Sequence, residues 1–127
     1  MVVHHKKVEN IFQLSQQERC DYFIRKITDT EIVWGLFDDG WATAVSGHKI
    51  AIPFWPEEDF ATLCASDEWV GFMAKAIRLS EFLSHWLPGM QVDGSICQIF
   101  PTPHQHGSLI LPAALLISIK EEREQYE

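Results

Sequence analysis

Three apolar runs, IVWGLF (32–37), WATAVS (41–46) and KIAIPFW (49–55), are separated by Asp38-Asp39-Gly40 and by Gly47-His48. Asp39-Gly40 favours a type I′ turn, in which both central residues take positive φ, and Gly47-His48 suits type II′, with glycine first. Taken as two-residue loops, these turns leave the chain little choice. They predict a three-stranded antiparallel meander in one register. Trp34 faces Val45, which faces Ile50; Leu36 faces Thr43 and Ile52; Trp41 faces Phe54. These rows share one side and are expected to pack on the core. The other side carries Gly35, Ala44 and Ala51, with Phe37, Ala42 and Pro53. A face of Gly and Ala lets a helix, a ligand or a partner backbone come close. The first helix is the expected occupant. Pro53 has no N–H for a ladder, so the third strand should be an edge or end near it.

The remaining elements follow from capping and periodicity. Residues 1–14 carry no clear pattern and read as a loosely ordered segment. Ser15-Gln16-Gln17-Glu18 is a capping box, which predicts a helix over about 16–28 with Cys20, Phe23, Ile24 and Ile27 on its apolar face. Trp55-Pro56-Glu57-Glu58-Asp59 reads as the start of a second helix, with proline in the first turn and acids at the positive end of the helix dipole. VGFMAKAIRL reads as a strand. Ser80 opens SEFLSHWL, a helix expected to stop at Pro88-Gly89, and MQVDGS reads as a connector. SICQIF and SLIL read as a strand pair around PTPHQHG. Pro112 opens a last helix whose acidic end, 121–127, is expected to fray. Hairpins without regular β-α-β alternation give an α+β class: one domain over 1–127, a meander and a C-terminal hairpin packed with about four helices.

Composition narrows the function classes. Ten Lys and Arg against eighteen Asp and Glu give a net charge of −8. That excludes general binding to nucleic acid or anionic membrane, which needs clustered cations. No apolar run has the length of a membrane helix, and the N-terminus has no secretory pattern, so a cytoplasmic protein is expected. Cys20, Cys64 and Cys97 are scattered among apolar neighbours and read as buried thiols, neither a disulfide framework nor a zinc ribbon.

Few residues carry recognisable chemistry. His104 and His106 form an H-x-H in a loop, but tight zinc binding needs a third converging ligand, and only Asp93, Cys97, His85, His48 or the His4-His5 pair are candidates. No metal and no cofactor are expected. The acids Asp38, Asp39 and Glu57 to Asp59 have local roles in a turn and at a helix start. No nucleophile elbow, phosphate loop, dinucleotide fingerprint or zincin motif occurs, which disfavours an enzyme. The five tryptophans are the unusual feature. Trp34, Trp41 and Trp86 fall on faces expected to be buried. Trp55 and Trp69 flank the second helix, where they serve either as core lids or as anchors on a recognition surface. Trp55, Trp69 and the strip Gly35, Ala44 and Ala51 are the candidate interaction site.

Several dense segments carry a family resemblance: Trp34-Gly35-Leu36, Asp38-Asp39-Gly40-Trp41, Trp55-Pro56-Glu57, Glu68-Trp69, Trp86-Leu87-Pro88-Gly89 and Phe100-Pro101-Thr102-Pro103. In this order, from about Tyr22 to Glu127, the chain resembles the bacterial family of domains of unknown function 2750. The resemblance implies a small bacterial cytoplasmic domain and brings no activity, cofactor or catalytic residue. The expected function is a non-catalytic protein-interaction module, an adaptor or immunity-type protein, monomeric or homodimeric, with a protein partner. The alternative is a small-ligand binder or enzyme with a pocket between sheet and helices, for which His85, His48, Arg78 and Tyr22 are the polar candidates.

Overall fold

The computed structural model describes residues 5–125. Five helices and six strands among them build an α+β domain. The order is α1 (His5–Gln13), α2 (Gln16–Thr30), β1 (Ile32–Phe37), β2 (Ala44–Ser46), β3 (Lys49–Phe54), α3 (Glu58–Leu63), β4 (Met73–Arg78), α4 (79–93), β5 (Ile96–Ile99), β6 (Ser108–Ile110) and α5 (Pro112–Glu124). A one-turn 3₁₀ helix at Asp67–Trp69 separates α3 from β4.

The strands form two sheets rather than one meander. β1 pairs antiparallel with β4, and a mixed sheet runs β2-β3-β5-β6. The Gly47-His48 hairpin keeps the expected register, with Val45 opposite Ile50 and Ala44 opposite Ala51. The Asp39-Gly40 turn does not form as expected: Asp39 takes φ 56° but Gly40 does not take positive φ, and the one bridge that follows, Phe37 to Trp41, closes a three-residue loop one position off the expected register. The reason lies on the far edge of β1. Trp34 exchanges both backbone hydrogen bonds with Trp55, at 3.0 and 2.8 Å, and so occupies the edge that β2 was expected to use. Trp41 turns inward instead. Its ring lies so close over Gly35 that a Cβ there would meet Cζ3 at 2.9 Å, and it meets Trp86 edge-on at 4.8 Å. The expected core row therefore breaks: Val45 and Ile50 protrude beyond the core and are exposed.

β3 is an interior strand, with β5 parallel on its other side. Pro53 is tolerated there for a local reason. The Phe54 carbonyl accepts from Phe100, so Phe54 faces β5. Alternation along the strand turns the Pro53 backbone to the opposite edge, past the last residue paired with β2, where no ladder bond is lost.

The helices correct four further expectations. Residues 5–13 of the segment expected to be loose form α1, whose Ile11 is buried in the core. The Trp55-Pro56 start is displaced: Trp55 is held by its bridge to Trp34, and α3 begins only at Glu58. α4 does not stop at Pro88-Gly89, and Met90–Asp93 is helix rather than connector. Its middle turn, Phe82–Trp86, is a π-helix, with the Leu87 N–H bonded to the Phe82 carbonyl. A proline in an α-helix clashes with the carbonyl four residues back. The wider π turn just before Pro88 moves that carbonyl aside. The helix ends at Gly94, which takes φ 75°. At the chain's end, α5 stays helical to Glu124 despite its acids. The core between helices and sheets centres on Phe23, Ile27, Phe54, Trp55, Phe82, Ile99, Phe100, Leu115 and Ile119.

Candidate functional site

A cleft of about 870 Å³ opens over the face of the mixed sheet that carries Ala44 and Ala51. These small side chains floor it, with Gln98 of β5 and Leu109 of β6, which are paired neighbours. One wall is the turn Ser66 to Trp69, and the other is the loop Pro101 to Gly107. The first helix does not cover this face as expected. The loop covers part of it, and the rest is open.

Each wall is fixed by hydrogen bonds. On the β2 side, Trp69 donates its indole N–H to the Thr43 carbonyl at 3.1 Å. On the β6 side, the loop makes a tight turn in which Thr102 and Gln105 exchange backbone bonds around Pro103 and His104. Its base is the Pro101 carbonyl, which accepts from Trp55 Nε1 at 2.9 Å and from Cys64 Sγ at 3.3 Å. Its far end is Gly107. A Cβ on that residue would stand 2.2 Å from the Ile99 carbonyl oxygen, so only glycine lets the loop lie this close to β5.

Arg19 of α2 holds the loop from behind. Its side chain is fully buried and donates to the carbonyls of Phe100, Leu14 and His106 and to Gln105 Oε1, at 2.8–3.0 Å. All four acceptors are neutral, and the structure gives Arg19 no ion pair with a described carboxylate. Burial pulls the Arg19 pKa below its ordinary value, yet a guanidinium stays charged. A positive charge without a carboxylate therefore sits one layer behind the loop wall. The placement is written in the capping box. Ser15 Oγ accepts the Glu18 N–H, Glu18 Oε1 accepts the Ser15 N–H, and the helix so started aims Arg19 at the loop. The Gln16 side chain, donating to the His106 carbonyl, adds a second tie.

Of the residues expected to form an interaction surface, Ala44, Ala51 and Trp69 come together in the cleft. Trp55 does not reach it. It is fully buried, stacks edge-on against Trp69 at 6.0 Å, and acts as a core lid under the loop. Gly35 lies elsewhere, beneath Trp41. His104 and His106 line the cleft rim and are exposed. No group of three His, Cys, Asp or Glu side chains able to hold a metal occurs among the described residues. His4 lies outside the described residues.

His85, His48, Arg78 and Tyr22 do not line the cleft. His85 bonds Ser84 on the π turn, and Tyr22 donates to Glu57, which also pairs with Lys7. Burial, the Glu57 bond and the Glu57 charge together push the Tyr22 phenol well above its ordinary pKa. Three residues that matter most to the cleft, Arg19, Gln98 and Gly107, were missed from the sequence. Only Gln98 left a trace there, as the one polar side chain inside the apolar run SICQIF.

The fold and the cleft define a small α+β domain with an open trough across a four-stranded mixed sheet. The chain belongs to the family described as Protein of unknown function (DUF2750), whose model matches residues 20–119. No curated protein and no solved structure matches it. No helix among the described residues is long and apolar enough to cross a membrane.

Proposed function

We propose that this protein is a non-catalytic binding module of the bacterial cytoplasm whose cleft receives a short segment of another polypeptide. One observation carries the reading: the trough runs from one edge strand of the mixed sheet to the other, over the small side chains of Ala44 and Ala51, and reaches the exposed apolar side chain of Leu109 at 50%. Four strands span about 14 Å, the length of about four residues of extended chain. A segment laid across the floor would cover Leu109, and the small side chains of Ala44 and Ala51 leave room for its backbone.

The groups around the cleft favour binding over chemistry. Burial pushes the Cys64 thiol up to about 12, and its S–H is spent on the Pro101 carbonyl. Neither imidazole on the rim is oriented by a hydrogen bond among the described residues, whereas a catalytic base needs such a partner. Asp67 and Glu68 on the β2-side wall, with the net charge of −8, suit a basic partner.

The volume also falls in the range of small-molecule sites, which supports the second reading, a metabolite binder. Peptide display against the wild-type protein, counter-selected on Ala44→Leu, separates the two. Short peptides that bind at micromolar Kd, shift Trp fluorescence and lose binding on Ala44→Leu are expected. A library that yields no binder sensitive to Ala44→Leu overturns the proposal. A thermal shift of several degrees with one metabolite would then favour the second reading.

A further inference from the structure

Gln98 is 5% exposed and lies in the cleft floor. Its Oε1 accepts the Gly107 N–H at 3.0 Å, which fixes the orientation of the amide. The Nε2 is therefore a donor, and it makes no hydrogen bond to any described residue. Among the described residues no buried side-chain nitrogen or oxygen lacks a partner, so this NH₂ is accessible. For a floor residue, that means it faces the cleft. A nearly buried amide thus offers two unused N–H bonds to whatever occupies the trough. Beside it stands the wall backed by Arg19, whose charge meets only neutral acceptors in residues 14, 100, 105 and 106. A donor next to an uncompensated buried cation favours an anionic acceptor over a neutral carbonyl.

We infer that this corner recognises the C-terminal carboxylate of the bound polypeptide. The carboxylate accepts from Gln98 Nε2, and the last side chain lies over Leu109. The main chain runs back toward β2, where Asp67 and Glu68 take a Lys or Arg side chain from the preceding positions. The inference rests on the peptide-binding reading of the cleft. Arg19 acts as a positioning residue, because it holds the loop wall and contributes field without touching the ligand.

The test uses the full chain and fluorescently labelled tetrapeptide pools with Lys at the second or third position, made as free acids and as matching C-terminal amides. Free acids are expected to bind about tenfold more tightly than amides, the size of one charge-assisted hydrogen bond. Gln98→Glu keeps an oxygen for the Gly107 N–H but replaces the donor by an acceptor, so the preference should disappear or invert. If Gln98→Glu does not fold, the wild-type comparison of acid and amide decides alone. Equal affinity for the two pools overturns the inference while leaving the peptide-binding reading intact. So does an amide-capped tetrapeptide with an internal Asp that binds as well as the free acids. A small carboxylate such as succinate binding as tightly as the free acids overturns the assignment to a chain terminus. No binding by either pool overturns both readings.

Discussion

A Cβ on Gly107 would stand 2.2 Å from the Ile99 carbonyl oxygen and 2.9 Å from the Pro101 nitrogen, and backbone atoms cannot swing away as a side-chain tip can. Gly107→Ala is expected to cost about 3 kcal/mol by chemical denaturation, at the upper end of ordinary single substitutions, because the whole loop must shift. The thiols give a second prediction at this scale. Burial, with the Asp21 charge adding to it, raises Cys20 to about 11, and burial raises Cys64 and Cys97 to about 12. The unfolded chain ionises its thiols first, near pH 8.5. The stability they contribute is thus full below that pH and is lost as pH rises toward the folded values. Thiol-reactive dye should label the native protein slowly at pH 7.5 and all three cysteines rapidly in denaturant. Fast native labelling of Cys64 would contradict its burial against Pro101. Buried thiols were legible in the sequence, since apolar neighbours signal burial directly. The role of Gly107 was not, because its crowding comes from a strand eight positions earlier in the chain.

At the scale of elements, a local signal sufficed only where no distant contact opposed it. The capping box at Ser15 involves atoms only three residues apart, so its pattern sufficed. Ser15→Ala should cost about 1 kcal/mol. Glu18 is held below its ordinary pKa by the Ser15 backbone bond, then by the Ser15 hydroxyl. Its contribution is therefore present above the ordinary glutamate range and is lost as pH falls through the lowered value. Wild type and Glu18→Gln should converge in stability in acid, a comparison that denaturant titration at several pH values checks. The helix over 79–93 shows the opposite case. Pro88-Gly89 is a fair stop signal, yet Leu79, Phe82, Leu87 and Met90 are all buried on one side, and that burial outweighs the local preference. The π turn resolves the conflict between proline geometry and apolar packing. Gly89 sits in this helix with nothing within 4 Å of an added Cβ. Gly89→Ala should raise stability by about 0.5–1 kcal/mol, read as a shift in the denaturation midpoint.

For the molecule as a whole, Arg19 is the link between helix layer and cleft. Replacing it by Met strands the Leu14, Phe100 and His106 carbonyls and Gln105 Oε1. We expect a loss of about 3 kcal/mol and faster proteolysis in the loop 102–106. Arg19→Lys should rescue little, since an ammonium offers three donors from one point where four acceptors surround a planar fork. The sequence by itself determined the α+β class, the Gly47-His48 hairpin, the capped helix and the apolar setting of the cysteines. Each of these depends on neighbours a few residues apart or on the average character of a segment. Only the tertiary structure decided that β1 leaves the meander, that Trp55 closes the core, and that Ala44, Ala51, Gln98 and Trp69 share one trough. The pairing of Trp34 with Trp55 and the parallel docking of β5 on β3 settled these points. Such contacts join segments twenty to forty-five residues apart, and their energy comes from packing that no local pattern encodes.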